Sequence, residues 1–271
     1  MAGLAVTTAA AEPAAPTPDV RRMGYDLDEG LGARAKLGLI TLSTDQVVEH
    51  EFFRLLSGLP GVVIFVNRIA YDGRIEEGSL RAMEGHLKEA AGLIVPSIDL
   101  DVVAFGCTTG AMYIGPETVA ARIREARPGV RCTSPMEAAI AAFRAFGAER
   151  IALLTPYPAE MTGVLRRHIE GHGVAVPVAG AHGILNDAEI ARVAPDSIRR
   201  SALELGRSDE VDAVFISCTA MRAAGVIPEI ECELGKPVAA SNYAMAWHAL
   251  RLAGYGDAVP GAGRLFGLPL P

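Results

Sequence analysis

Short apolar runs recur along this chain and alternate with longer stretches whose apolar positions return every three to four residues. The runs at 37–44, 61–67, 101–106, 130–134, 151–157, 174–178, 213–217 and 237–241 predict strands. The stretches at 79–91, 116–126, 136–146, 159–171, 194–205 and 228–234, with a last one near 242–253, predict amphipathic helices. Strand and helix alternating in this way imply βαβ units, and therefore parallel sheet covered on both faces. Eight such strands fit one closed barrel as well as two four-stranded sheets, and periodicity does not choose between them.

An internal repeat does choose. Asp-Val-Val-Ala-Phe-Gly-Cys-Thr-Thr at 101–109 returns as Asp-Ala-Val-Phe-Ile-Ser-Cys-Thr-Ala at 212–220. Gly-Leu-Ile-Thr-Leu-Ser-Thr at 38–44 pairs with Ile-Ala-Leu-Leu-Thr-Pro-Tyr at 151–157, and 129–147 resembles 235–254. A period this long means two copies of one domain rather than a solenoid. The expected architecture is an α/β fold with two Rossmann-like lobes. Each lobe holds a four-stranded parallel sheet, the two are related by pseudo-twofold symmetry, and the active site lies in the cleft between them. The expected division is a flexible N-terminal tail at 1–34, a first lobe at 35–134 joined by a returning helix at 242–255, a second lobe at 135–241, and a closing tail at 256–271.

Composition narrows the function. Half of the 271 residues are hydrophobic, enough for a substantial core. A net charge of −7 with scattered Lys and Arg argues against nucleic acid or an anionic membrane as a partner. No apolar run reaches the roughly 18 residues of a membrane span, and the Ala-, Thr- and Pro-rich start lacks the pattern of a secretory signal. A cytoplasmic protein is expected. The four cysteines, at 107, 132, 218 and 232, lack metal-ligand spacing, so no metal is expected. Gly30-Leu31-Gly32-Ala33-Arg34-Ala35 matches a loose dinucleotide fingerprint, but a strand follows it where a strand should precede it.

Cys107 and Cys218 stand apart from the other two. Each lies at the carboxyl end of a predicted strand, before a turn and a helix, where open parallel sheets bind ligands. The turn amides and a helix N-terminus are expected to favour the thiolate, which is the nucleophile and the base. Cys107-Thr108-Thr109-Gly110 and Cys218-Thr219-Ala220 offer N–H groups and hydroxyls suited to a carboxylate. Ser43 and Thr44 are candidate substrate contacts. Asp45 either caps the helix starting near Gln46 or binds a substrate cation. Tyr157 could point into the cleft, and Asn186 reads first as a helix cap and second as a substrate contact. Cys132 and Cys232 read as packing residues, and His248 as core or surface.

On the paired Cys-Thr turns, the Gly-Leu-Ile-x-x-Ser-Thr-Asp opening and the Leu-Leu-Thr-Pro-Tyr strand, residues 35–255 resemble the Asp/Glu racemase superfamily. The likeness is to its branch of maleate cis–trans isomerases and arylmalonate decarboxylases. Ser43-Thr44-Asp45 with Glu49, Arg68 and Gly106-Cys107-Thr108-Thr109-Gly110 look most like the racemase-like proteins of ectoine utilisation. The resemblance implies no organic cofactor, one cysteine as nucleophile or base and the other as proton donor. It also places Tyr157, Thr108, Thr109 and Thr219 around the substrate carboxylate. Asp45 stands where maleate isomerases carry Asn, which disfavours a second substrate carboxylate and favours an amino group. The expected function is a cofactor-independent two-cysteine isomerase or racemase of a small carboxylate, acting as a homodimer. Maleate isomerisation and arylmalonate-type decarboxylation are the alternatives within the branch. A non-catalytic small-acid binding or sensing protein is the alternative outside it.

Overall fold

A computed structural model describes residues 20–271. Most of the expected N-terminal tail, residues 1–19, lies outside the described residues. Residues 20–30 carry neither helix nor strand, and Leu31–Pro271 pack as one compact unit.

The first half runs β1 (Ala35–Leu42), α1 (Val48–Leu56), β2 (Val62–Ile69), α2 (Glu77–Ala82), α3 (Glu84–Leu93), β3 (Val102–Phe105), α4 (Thr108–Ile114), α5 (Pro116–Ala126) and β4 (Arg131–Thr133). The second half runs α6 (Pro135–Phe146), β5 (Arg150–Thr155), α7 (Ala159–Glu170), β6 (Ala175–Ala181), α8 (Asp187–Ile190), α9 (Pro195–Gly206), β7 (Ala213–Ile216), α10 (Ile227–Leu234), β8 (Val238–Ala240) and α11 (Ser241–Leu252). Two separate four-stranded sheets result, ordered β2-β1-β3-β4 and β6-β5-β7-β8, with every strand pairing parallel. The two orders are the same plan written twice, as the internal repeat implies. β3 (Val-Val-Ala-Phe) and β7 (Ala-Val-Phe-Ile) occupy the same inner place in each sheet and are buried throughout. A strand covered by helices on both faces has no solvent side, so its sequence is continuously apolar.

Helix α11 follows β8 of the second sheet but packs on α1, β3 and β4 of the first. Helix α6 packs on β7 and β8, and α6 and α11 pack on each other. The two halves therefore exchange helices at their junction. The closing segment is clamped as well: the buried Arg251 guanidinium donates to the carbonyls of Tyr255, Asp257, Phe266 and Leu268. No described helix is long and apolar enough to cross a membrane.

One expectation is corrected here. The helix expected over 79–91 is broken at Met83, which ends α2 and starts α3. Its buried side chain turns inward, and a Cβ placed on Gly110 would lie only 2.4 Å from its methyl carbon. After Cys218 the chain runs in turns until α10 begins at Ile227, close to the start of the helix expected over 228–234. The reason lies in the other half of the molecule. The Ala224 N–H donates to Glu51 on α1, and the Arg54 guanidinium lies against Gly225, so the first half satisfies and covers this segment in place of a helix.

Leu153 in β5 has no exposed surface. Leu153→Ala is expected to destabilise the protein by about 2–5 kcal/mol. Urea denaturation should show this as a lower midpoint with an unchanged slope.

Candidate active site

The site is built from the two strand ends. Cys107 follows β3 and caps α4, its sulfur accepting from Gly110 N at 3.3 Å. Glycine is required at 110, because a Cβ there would sit 2.9 Å from the Cys107 sulfur. Cys218 follows β7, and its sulfur accepts from Ala220 N at 3.4 Å. Its φ of +104° is a conformation that costs a side-chain-bearing residue on the order of 1–3 kcal/mol and persists only when its surroundings enforce it. Part of that enforcement is Ser241, the first residue of α11, whose Oγ accepts from Cys218 N at 2.9 Å. The Thr108 hydroxyl, beside the other cysteine, donates to the same Oγ at 3.0 Å. One hydroxyl therefore joins the two cysteine turns.

The other candidates arrange themselves around this junction. Tyr157 is buried, and its hydroxyl faces the Cys218 sulfur. Thr109 favours the Cys107 thiolate, and Thr219 works against the burial that raises Asp45. Asp45 Oδ1 accepts from Val47 N and Val48 N at 2.7 and 2.8 Å, so its helix-capping role is real. Thr44 reaches across to Asp187, donating to Oδ2 at 3.0 Å. Ser43 is spent on the neighbouring loop, bonding the backbone of Tyr71. Asn186 is exposed and caps α8, with its Oδ1 accepting from Glu189 N at 2.9 Å. Of the pair at 186–187 it is Asp187 whose charge acts on both cysteines.

The expectation that the turns favour the thiolate is corrected by burial. Cys107 and Cys218 are only 5% and 6% exposed. Burial pushes the Cys107 thiol up to about 12, with Asp187 and Asp45 adding to the rise and the Gly110 N–H and Thr109 opposing it. Burial followed by Asp187 raises Cys218, against the pull of Tyr157 and the Ala220 N–H. Desolvation of a compact anion outweighs two or three hydrogen bonds here. Tyr157 itself is raised by burial and by Cys218. Both thiols rest protonated at neutral pH.

Sequence reasoning missed Ser241, Glu51 and Asn242 as parts of the site. The repeat aligns Ser241 with Ser134, but Ser134 bonds only its local neighbour Glu137, so the alignment carried no hint of the bridge. His248, read as core or surface, pairs its Nδ1 with Thr133 Oγ1 at 2.7 Å, and burial lowers it to about 4.

Residues 86–266 match the family model described as arylmalonate decarboxylase. The chain belongs to this family. Among relatives of this arylmalonate decarboxylase family member, the maleate isomerase of Nocardia farcinica is 29% identical over 240 residues, covering 85% of this chain and 94% of that protein. The arylmalonate decarboxylase of Bordetella bronchiseptica is 33% identical over 159 residues, covering 58% of this chain and 65% of that enzyme. Among solved structures, a cysteine-to-serine variant of the Nocardia farcinica maleate cis–trans isomerase aligns with a TM-score of 0.78 at 25% identity. It covers 86% of this chain and 98% of that one, and it holds a covalently bound succinylcysteine intermediate.

Buried, protonated thiols make a testable kinetic statement. Alkylation of Cys107 and Cys218 by iodoacetamide, followed peptide by peptide with mass spectrometry, should keep rising with pH to pH 9. A plateau below that pH at either cysteine would reveal a thiolate stabilised in the free protein and contradict the burial argument.

Proposed function

We propose that this chain is a cofactor-independent isomerase that handles a small carboxylate with two cysteines, Cys107 and Cys218. The observation that carries the reading is the matched placement of the two sulfurs. They stand at equivalent ends of β3 and β7 in two like sheets, with their turns joined through Ser241. The succinylcysteine of the Nocardia farcinica relative supports a nucleophilic role for one thiol.

Two routes use this pair. In addition and rotation, one cysteine as thiolate forms an S–C bond to an alkene carbon while the other thiol gives its proton to the neighbouring carbon. The single bond rotates, and reversal of both steps, the second sulfur taking its proton back as the S–C bond breaks, releases the isomer and restores one thiolate and one thiol. In racemisation, one thiolate removes the Cα proton and the opposite thiol returns one to the other face. Either route needs one thiolate, which the Gly110 and Ala220 N–H groups and the Tyr157 hydroxyl favour and burial resists. A substrate that carries a cation offsets the fields of Asp45 and Asp187, which raise both thiols. An amino-acid-like or ectoine-derived acid therefore fits better than a second carboxylate. Decarboxylation is the second reading, favoured by the 33% identity to arylmalonate decarboxylase.

Proton NMR in D2O over maleate, α-amino acids, ectoine-derived acids and an arylmalonate separates these routes. Exchange at Cα identifies proton transfer, geometric conversion of an alkene identifies addition and rotation, and loss of carbon dioxide identifies a lyase. With whichever acid turns over, Cys107→Ala and Cys218→Ala are each expected to cut kcat on the order of a thousandfold or more. Cys132→Ala, whose sulfur rests against the Val130 carbonyl, should leave it within about twofold. Full activity in either of the first two variants would refute the assignment.

A further inference from the structure

Glu51 lies on α1, in the first half, beneath the segment that carries Cys218 in the second, and it is only 3% exposed. A carboxylate so deeply buried needs partners for its oxygens. Both are neutral N–H donors: Oε1 accepts from Ala224 N at 2.8 Å and Oε2 from Asn242 Nδ2 at 2.8 Å. The Asn242 Nδ2 donates a second time, to the Thr219 carbonyl, also at 2.8 Å. Glu51 thus grips the segment after Cys218 at two places, next to the cysteine through Asn242 and farther along at Ala224. That segment has no helix of its own, and Cys218 sits at a positive φ that only its surroundings can enforce.

We propose that Glu51 is a positioning residue for Cys218, holding through Asn242 and Ala224 the turn that presents the sulfur, and that its protonation loosens this turn. The proposal rests on the reading of Cys218 as a reactive thiol. Ionised, Glu51 accepts from both donors. Protonated, it carries an O–H that needs an acceptor, and the same amide offers one: Asn242 Oδ1 is buried without a hydrogen-bond partner among the described residues. Turning the amide to meet that proton withdraws Nδ2 from Thr219. No bond between heavy atoms changes, and the proton is exchanged with solvent.

The surroundings place this change in the neutral range. Burial raises Glu51 to about 7, the Asn242 and Ala224 donors and the Arg54 charge oppose the rise, and Asp45 adds to it. Arg54 is on α1 itself and lies against Gly225. From the sheet, Arg68 is taken up by Glu49 and by the carbonyls of Leu42 and Asp45. From α11 and the 219–226 segment the facing groups are the neutral Asn242 amide and the Ala224 N–H.

The test uses iodoacetamide on the full chain and reads the rate at Cys218 relative to Cys107, so that the ordinary pH dependence of thiol ionisation cancels. In the wild type this ratio is expected to rise about threefold or more as pH falls from 8 to 6. In Glu51→Gln, whose amide sets a second donor against Asn242 Nδ2, the ratio should be high at both pH values and flat between them. Asn242→Ala should raise it too. Asp212→Asn weakens the second half at the opposite end of its sheet, where Asp212 accepts from Glu149 N and Arg150 N, and it should track the wild type. A Glu51→Gln ratio that follows the wild type at every pH would overturn the proposal. So would equal acceleration of both cysteines in that variant, or a high and flat ratio in Asp212→Asn like that of Glu51→Gln. If the ratios behave as expected while no acid turns over, the proposed function fails and the positioning role of Glu51 stands.

Discussion

The constraint around which this molecule is arranged is the holding of two thiols out of water at the ends of two separate sheets. A sheet can fix the direction of a side chain on its own strand, but no ladder of hydrogen bonds runs between β3 and β7. Their relation has to come from groups that cross between the halves. Ser241 does this most directly, accepting from Cys218 N and from the Thr108 hydroxyl. Thr44 to Asp187, Asn242 to Glu51 and Ala224 to Glu51 are further crossings of the same kind. Each places a polar group where leaving it unpaired would cost about 1–3 kcal/mol, so the crossings are mutually enforcing.

Burial sets the resting chemistry. The turns at Cys107 and Cys218 direct N–H groups at sulfur, an arrangement that in water would lower a thiol's pKa. Here it only limits a rise driven by desolvation and by the carboxylates of Asp187 and Asp45. A protonated, shielded thiol is inert towards bystander electrophiles. A ligand that brings a positive charge and displaces water changes the balance at once, because every electrostatic term is stronger in the low-dielectric interior.

The two copies have diverged in how they hold their cysteines. At Cys107 a helix starts at once and the sulfur caps it, with glycine at 110 making room. At Cys218 the equivalent helix has been replaced by turns that lie on the first half, and the backbone accepts a positive φ. The first arrangement is local and self-supporting. The second is held in place by residues far away in the chain, among them Glu51 and Asn242.

By itself the sequence determined the strands, most of the helices, the duplication and the equivalent placement of Cys107 and Cys218 at two strand ends. All of these are written in short-range patterns: continuous apolar runs, 3.6-residue periodicity and one repeated string. It also marked Asp45 as either cap or contact, and in the structure its carboxylate accepts from Val47 N and Val48 N at the entry to α1. Only the tertiary structure decided how the turns after Cys218 are held, the rise in the pKa of both thiols and the bridging role of Ser241. Each of those depends on groups far apart in the chain meeting in a dry interior, and neither desolvation nor such a meeting has a signature within any window of the chain.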